Sequence, residues 1–367
     1  MRRSSVISLV VSMFIVLGSS LYHSCTMVPL DGSEYLPDSV GVNLVLNWPQ
    51  GIAESDKPEN MCVAMSRIIN TVHYVWQADS AGVVKDYGSS RDNMIPNGEY
   101  YMMIFNDISA TYTIDAIDRF QSDPAVSMRE LSAVVNDLPE DQIPSGVADF
   151  NPAFGYVNSA DPLYIDVKKQ RIYPTLTPDL AFDIKTLTQK LTFRVSLKLV
   201  GNVTIENDMI NAEISGVPKR VQLMSALVRD STYRALFEMK KASQNGNVYV
   251  YQGNVNVLGL FPSGSQSDVV GPGILQLTIP AVTMSEDGTT QVKRLFHAGI
   301  NLRETILGAV LMSQLADGSG YRAARSSAVL VVNSVLEIDE DQIRQDEDSQ
   351  GVEVWFDSDD NDIDIEV

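Results

Sequence analysis

Leu191-Thr192-Phe193-Arg194-Val195-Ser196-Leu197-Lys198-Leu199 is the stretch that decides the fold. Every odd position is apolar and every even position polar. Side chains of an extended chain point alternately to opposite sides, so this is a strand with one buried and one wet face. Gly201-Asn202 supplies a turn, and Val203 to Ile214 reads as a further strand or pair of strands. Tyr249 to Leu260, Ile274 to Val282 and Ala328 to Ile338 repeat the theme between Gly and Pro punctuation. Upstream, Val42, Leu44, Leu46 and Trp48 alternate before Pro49, and Met61 to Ile69 and Val72 to Trp76 are apolar runs of strand length. Asn97-Gly98 is a turn signal, and the Tyr100 to Phe105 run that follows is apolar on both faces, as in a central strand.

Helical spacing is rare. Ser127 to Leu138 carries it through Met128, Leu131 and Val134/Val135, with a Ser127–Glu130 capping box. Asn301 to Leu315 carries it through Leu302, Ile306, Val310 and Leu311. Residues 138–163, with four prolines, read as loop. Many short strands and few short helices predict an all-β protein, two tandem Greek-key sandwiches. Near Tyr173–Pro178 lies the expected boundary, which gives sandwiches at 41–175 and 176–338 and an acidic terminal segment at 339–367. In that segment acids far outnumber the one base, Arg344. Yet Val352, Val354 and Phe356, then Ile363 and Ile365, alternate as strands do, which a fully disordered tail seldom does.

The formal charge is −20, so the surface repels phosphate backbones and anionic head groups. Nucleic acid is not an expected partner, and a polybasic patch is not the expected route to a membrane. The N-terminus offers another route. Arg2 and Arg3 precede an apolar run from Val6 to Leu17, then small residues, then Leu21-Tyr22-His23-Ser24-Cys25. That is the layout of a secretory signal peptide over residues 1–24. The run is shorter than the roughly 20 residues that span a bilayer. Ser24 before Cys25 fits a bacterial lipobox, although Leu21 stands one place early and Tyr22 and His23 are bulky. Cys25 is thus the expected lipidation site, holding the protein at the outer membrane through a tether at 25–40. The alternative is ordinary cleavage near Ser19–Ser24. Cys62, in an apolar run, reads as a small core residue, and a Cys25–Cys62 disulfide as its alternative.

No catalytic residue, cofactor site or metal site is expected. Only His73 and His297 remain after cleavage, neither beside a nucleophile elbow, and no phosphate loop or zinc motif is present. Asp357 to Asp362 has the alternating oxygens of a calcium loop but lacks its glycine and closing glutamate, so a solvated acidic turn is expected.

With Val42–Pro49, Asn97–Asn106, Leu191–Gly216 and Ile300–Arg303, these parts resemble the lipoproteins of Bacteroides-type bacteria related to fimbrial anchors and minor subunits. The resemblance implies transthyretin-like sandwiches, an acyl anchor, no active site and a role in anchoring or assembling a surface fibre. It implies fimbrial subunits as partners, and Val352, Val354, Phe356, Ile363 and Ile365 as a strand donated to a neighbour or paired in its own sheet. A competing function is a glycan- or protein-binding lipoprotein, with Tyr74, Trp76 or Trp355 as an aromatic platform. Core packing is the alternative for each tryptophan.

Overall fold

The computed structural model describes residues 39–69, 72–90, 92–147, 152–173, 179–229, 231–285, 290–345 and 354–356. The fold is all-β, with few short helices. The first strands are β1 (Ser39–Gly41), β2 (Asn43–Asn47), β3 (Met61–Arg67), β4 (His73–Ala78), β5 (Val84–Asp86), β6 (Met94–Pro96) and β7 (Gly98–Phe105). Next come β8 (Tyr112–Asp115), β9 (Ser132–Val135), β10 (Gly155–Val157), β11 (Tyr164–Ile172), β12 (Asp179–Asp183) and β13 (Lys185–Thr186). The middle holds β14 (Gln189–Leu199), β15 (Thr204–Ile205), β16 (Met209–Val217), β17 (Arg220–Gln222), β18 (Leu227–Arg229), β19 (Tyr233–Asn245) and β20 (Val248–Val257). The last are β21 (Ile274–Met284), β22 (Gln291–Asn301), β23 (Met312–Gln314), β24 (Tyr321–Ala323), β25 (Ser327–Ile338), β26 (Ile343–Gln345) and β27 (Val354–Phe356).

Sheet I has the order β13-β11-β7-β3-β4-β5. Its central strands are apolar on both sides because both sides are covered. Met61, Val63, Met65, Trp76, Tyr100, Met102 and Ile104 pack under β1, β2, β6 and β12, contributed by Val40, Val42, Leu44, Ile95, Leu180 and Phe182. Cys62, Ala64, Val75, Met103, Phe105 and Ile165 face the other way, into a second core that runs through the rest of the molecule. β7 lies between β11 and β3, the central place its two apolar faces predict. Gly98 makes the turn into it: a Cβ there would stand 2.7 Å from Arg67 Nε, and the Arg67 guanidinium caps the Asn97 carbonyl.

Sheet II follows the path β26-β25-β14-β20-β19-β16-β21-β22-β27, with β10 beside β19 and β15 beside β21. β14 is the stretch read first, and Leu191, Phe193, Val195 and Leu197 are all buried while Arg194 is exposed. The sheet curls around one core. Phe193 of β14, Phe237 of β19, Leu277 of β21, Ala298 of β22 and Leu336 of β25 share it. An Arg294–Asp341 ion pair of 3.3 Å ties β22 to the turn before β26, from the opposite end of the path.

Sheet III, ordered β23-β24-β18-β17-β9-β8, joins strands from distant parts of the chain. β9 pairs antiparallel with β17, and β10 pairs parallel with β19. In the other direction β12 pairs parallel with β2. Strands on either side of residue 175 therefore share sheets.

Two helical readings need correction. The Ser127–Glu130 capping box forms, with Ser127 N–H donating to Glu130 Oε1 at 3.0 Å, but it caps one 3-10 turn (Met128–Glu130). The chain then enters β9, because Ala133-Val134-Val135 finds partners on both sides in β8 and β17. The later helix, α2 (Arg303–Ala309), stops where Val310 turns left-handed at φ 50°, and β23 follows. The other short helix, α1 (Ile117–Ser122), packs Phe120 inward.

Candidate functional site: the terminal strand and the sheet edges

The expected donor strand lies partly within the described residues. Val354 and Phe356 belong to β27, which pairs antiparallel with β22: Ala298 opposite Phe356, Gly299 opposite Trp355, Ile300 opposite Val354. Val352, Ile363 and Ile365 lie outside the described residues, as do Cys25 and the acidic run Asp357–Asp362. The backbone of β27 thus takes the in-sheet position, three residues long. β22 is eleven residues long, and all eleven pair with β21 on its other side. Among the described residues no strand pairs along Gln291–Phe296 on the β27 side.

A second edge lies at the other end of the path. β25 spans Ser327–Ile338, but β26 covers only Leu336–Ile338. Along the rest, Val329 and Val331 are exposed at 54% and 44%. Open strand edges carry N–H and C=O groups that a further strand can satisfy, and exposed valines suit such an added strand. β26 is held by charge. Glu337 accepts from Lys198 Nζ at 2.8 Å and from the Arg344 guanidinium, and Arg344 Nη1 reaches Asp339 at 3.1 Å. The Lys198 and Arg344 bonds hold the Glu337 carboxyl below its ordinary range.

The chemistry-bearing residues are dispersed. His73 stacks on Phe120 at 4.0 Å and donates from Nδ1 to the Phe120 carbonyl at 2.8 Å. His297 sits on β22 of another sheet, 3.3 Å from Thr278 Oγ1. Cys62 is buried and unpaired in the core, as its apolar run predicts. Burial pushes its thiol well above the ordinary value, and the Asp107 carboxylate adds to that. Trp76 is fully buried, donating to Ser90 Oγ at 2.6 Å, so it packs the core and offers no platform face. Tyr74 is half-buried against Tyr100, and the Trp355 side chain lies outside the description. Among the described residues no group of three His, Cys, Asp or Glu is placed to hold a metal. No described helix is long and apolar enough to cross a membrane.

One polar cluster has no signature in the sequence. Glu213 on β16 and Arg234 on β19 form a buried pair at 3.4 Å. Tyr156 of β10 lies across it, donating to Glu213 Oε2 at 2.6 Å while the guanidinium stacks 3.9 Å above its ring. The loop reading of 138–163 needs correction, since the segment holds a 3-10 turn (Glu140–Gln142) and β10, the short strand that delivers Tyr156. An open cleft of about 510 Å³ lies beside β8. There Arg220 bonds Asp115 at 2.7 Å and holds its carboxyl below the ordinary range.

No protein-family model matches the chain, and no curated protein matches it. Among solved structures it is similar to a candidate adhesin from Bacteroides ovatus, at 13% identity and a TM-score of 0.48, over 83% of this chain and 93% of that one. It is similar to a candidate adhesin from Bacteroides thetaiotaomicron, at 9% identity and 0.45, over 84% and 96%. It is also similar to the fimbrial anchor protein Mfa2 from Porphyromonas gingivalis, at 8% identity and 0.40, over 86% and 99%.

Proposed function

We propose that this chain is a lipid-anchored structural protein of the cell envelope, an anchor or accessory subunit of a fimbria-like surface fibre, without catalytic activity. The lipobox-like approach to Cys25 supports the anchor. The observation that carries the assembly role is β27: a three-residue strand within the acidic terminal segment, laid on a strand of eleven residues. A strand held by so few ladder bonds exchanges readily, because a second copy's strand offers the same hydrogen bonds. Fimbrial subunits are the partners in this reading. Among the described residues the two histidines lie in different sheets, His73 donating to the Phe120 carbonyl and His297 beside Thr278, and Arg220 in the open cleft is bonded to Asp115. The descriptions adhesin and fimbrial anchor belong to the neighbouring proteins, and the reading here rests on this chain's own edge and terminus.

The register supplies the test. With Gly299→Cys in one tagged copy and Trp355→Cys in a second, co-expression followed by mild oxidation yields a disulfide-linked pair if β27 passes between copies. The double variant in one copy yields an internal disulfide if β27 stays at home. Internal bonds alone, at every concentration and in the presence of fibre, would contradict the assembly role.

A further inference from the structure

Four features of sheet I meet at one end. β3 and β11 both run toward it and end at Arg67 and Ile172, which lie opposite Tyr100 and Gly98 at the start of β7. The β6–β7 turn at Asn97-Gly98 lies between them. The chain enters there too, since Ser39 is opposite Pro96 and β1 runs away from that end. The residues that turn the chain there are unexpectedly apolar. Ile69 is 81% exposed and Tyr173 58%, and Ile68 and Val72 are each more than a third exposed. The same end carries a basic run against the charge of the whole chain. Lys168-Lys169-Gln170-Arg171 precedes Tyr173, with the Arg171 guanidinium 5.3 Å over the Tyr173 ring; Lys169 pairs with Glu99 at 3.1 Å, Lys168 lies over the Phe182 ring, and Arg67, across β7, caps the Asn97 carbonyl.

Resting on the reading that Cys25 is acylated, we infer that this end of sheet I is a membrane-facing tip: Ile69, Ile68, Val72 and Tyr173 dip into the bilayer interface, with the exposed Arg171 beside Tyr173 as the cation nearest the head groups. The place of chain entry selects this occupant. The segment from Cys25 to Ser39 reaches at most about 48 Å fully extended, at about 3.4 Å per residue, and it starts from the same end. A tether alone leaves the body free to swing. Apolar turns next to the attachment point meet the lipid surface at high effective concentration, so a few side chains suffice to fix orientation. Exposed isoleucine and tyrosine with a flanking cation match the interface, where an apolar group sits about 5–10 Å into the head-group and acyl boundary and cations meet anionic head groups. A membrane-facing tip turns the Val329 part of β25 away from the bilayer. β13 pairs with β11 at Tyr164, the opposite end of that strand, and leads into β14, beside which Val329 lies.

The test uses the full acylated protein in vesicles of phosphatidylethanolamine and phosphatidylglycerol containing a brominated phosphatidylcholine. Two variants are compared, Ile69→Trp at the tip and Val329→Trp on β25, each corrected for the native tryptophans. The expected result is a blue-shifted Ile69→Trp emission quenched several-fold more than that of Val329→Trp. Equal quenching, or none at either site, in vesicles that carry the protein overturns the tip while leaving the anchor standing. A blue shift that grows with protein concentration in the absence of vesicles overturns it in favour of a second copy covering the tip. Flotation of the same samples beside Cys25→Ala separates the two claims. If the Cys25→Ala protein floats equally well, or neither floats, the anchor fails and the tip with it.

Discussion

Glu213 and Arg234 are 3% and 4% exposed, and each is the other's remedy for lost water. Breaking such a pair leaves a buried charge, whereas replacing both partners by apolar groups is often tolerated. Glu213→Ala is expected to cost about 3–5 kcal/mol in urea unfolding. Adding Arg234→Met should recover much of the loss. A single-variant cost below about 1 kcal/mol, the range of an exposed pair, would mean that water reaches the pair. Cys62 gives a second check. A fully buried thiol with a raised value is inert, so iodoacetamide at pH 8 should leave it unlabelled in the native protein and label it at once in denaturant. Rapid native labelling would place β3 outside the core.

Among the elements, β26 shows how charge holds a short strand. The folded Glu337 carboxyl lies below its unfolded value of about 4.3, so its contribution is complete above that pH and is lost as the pH falls through the folded value. Thermal melts between pH 3 and 6 should therefore converge for wild type and Glu337→Gln at the acid end and separate above about pH 4.5. Parallel curves throughout would show that Glu337 does not hold β26. The elements also show what alternation can and cannot reveal. β14 is legible because one face is buried and the other wet along its whole length. β11 is not: after Tyr164 and Ile165 it carries Lys168, Lys169 and Arg171, since only its ends are well covered. β19 runs out of the core halfway, so Lys240 to Asn245 are exposed on both faces, and only the Asn245-Gly246 turn marks its end. β9 took a helical reading from its spacing because its pairing partner, β17, lies some ninety residues away. Apolar spacing over so few residues cannot tell a turn plus strand from a helix.

For the whole molecule, the all-strand class was written in local alternation, but the way strands combine was not. The pairings of β2 with β12, β9 with β17 and β10 with β19 are set by packing on a shared core, and nothing local in those segments encodes their partners. The same holds for the site. That the terminus forms a strand was legible in Val352–Phe356, and its landing place on β22 was not. Nor was the apolar end of sheet I, since Ile68, Ile69 and Val72 read as parts of strands until the turn between β3 and β4 is placed. The proposed anchor, tip and exchangeable strand would together give a body that stands on the bilayer by one end with the Val329 edge of β25 turned outward.

Everything in that picture depends on the thiol at position 25. The direct measurement is mass spectrometry of the N-terminal peptide from protein purified out of the native membrane fraction. The account predicts a chain that begins at Cys25 and carries the mass of a glyceryl group with fatty acyl chains. An unmodified start at any residue after Cys25, with the protein in the soluble fraction, would contradict it.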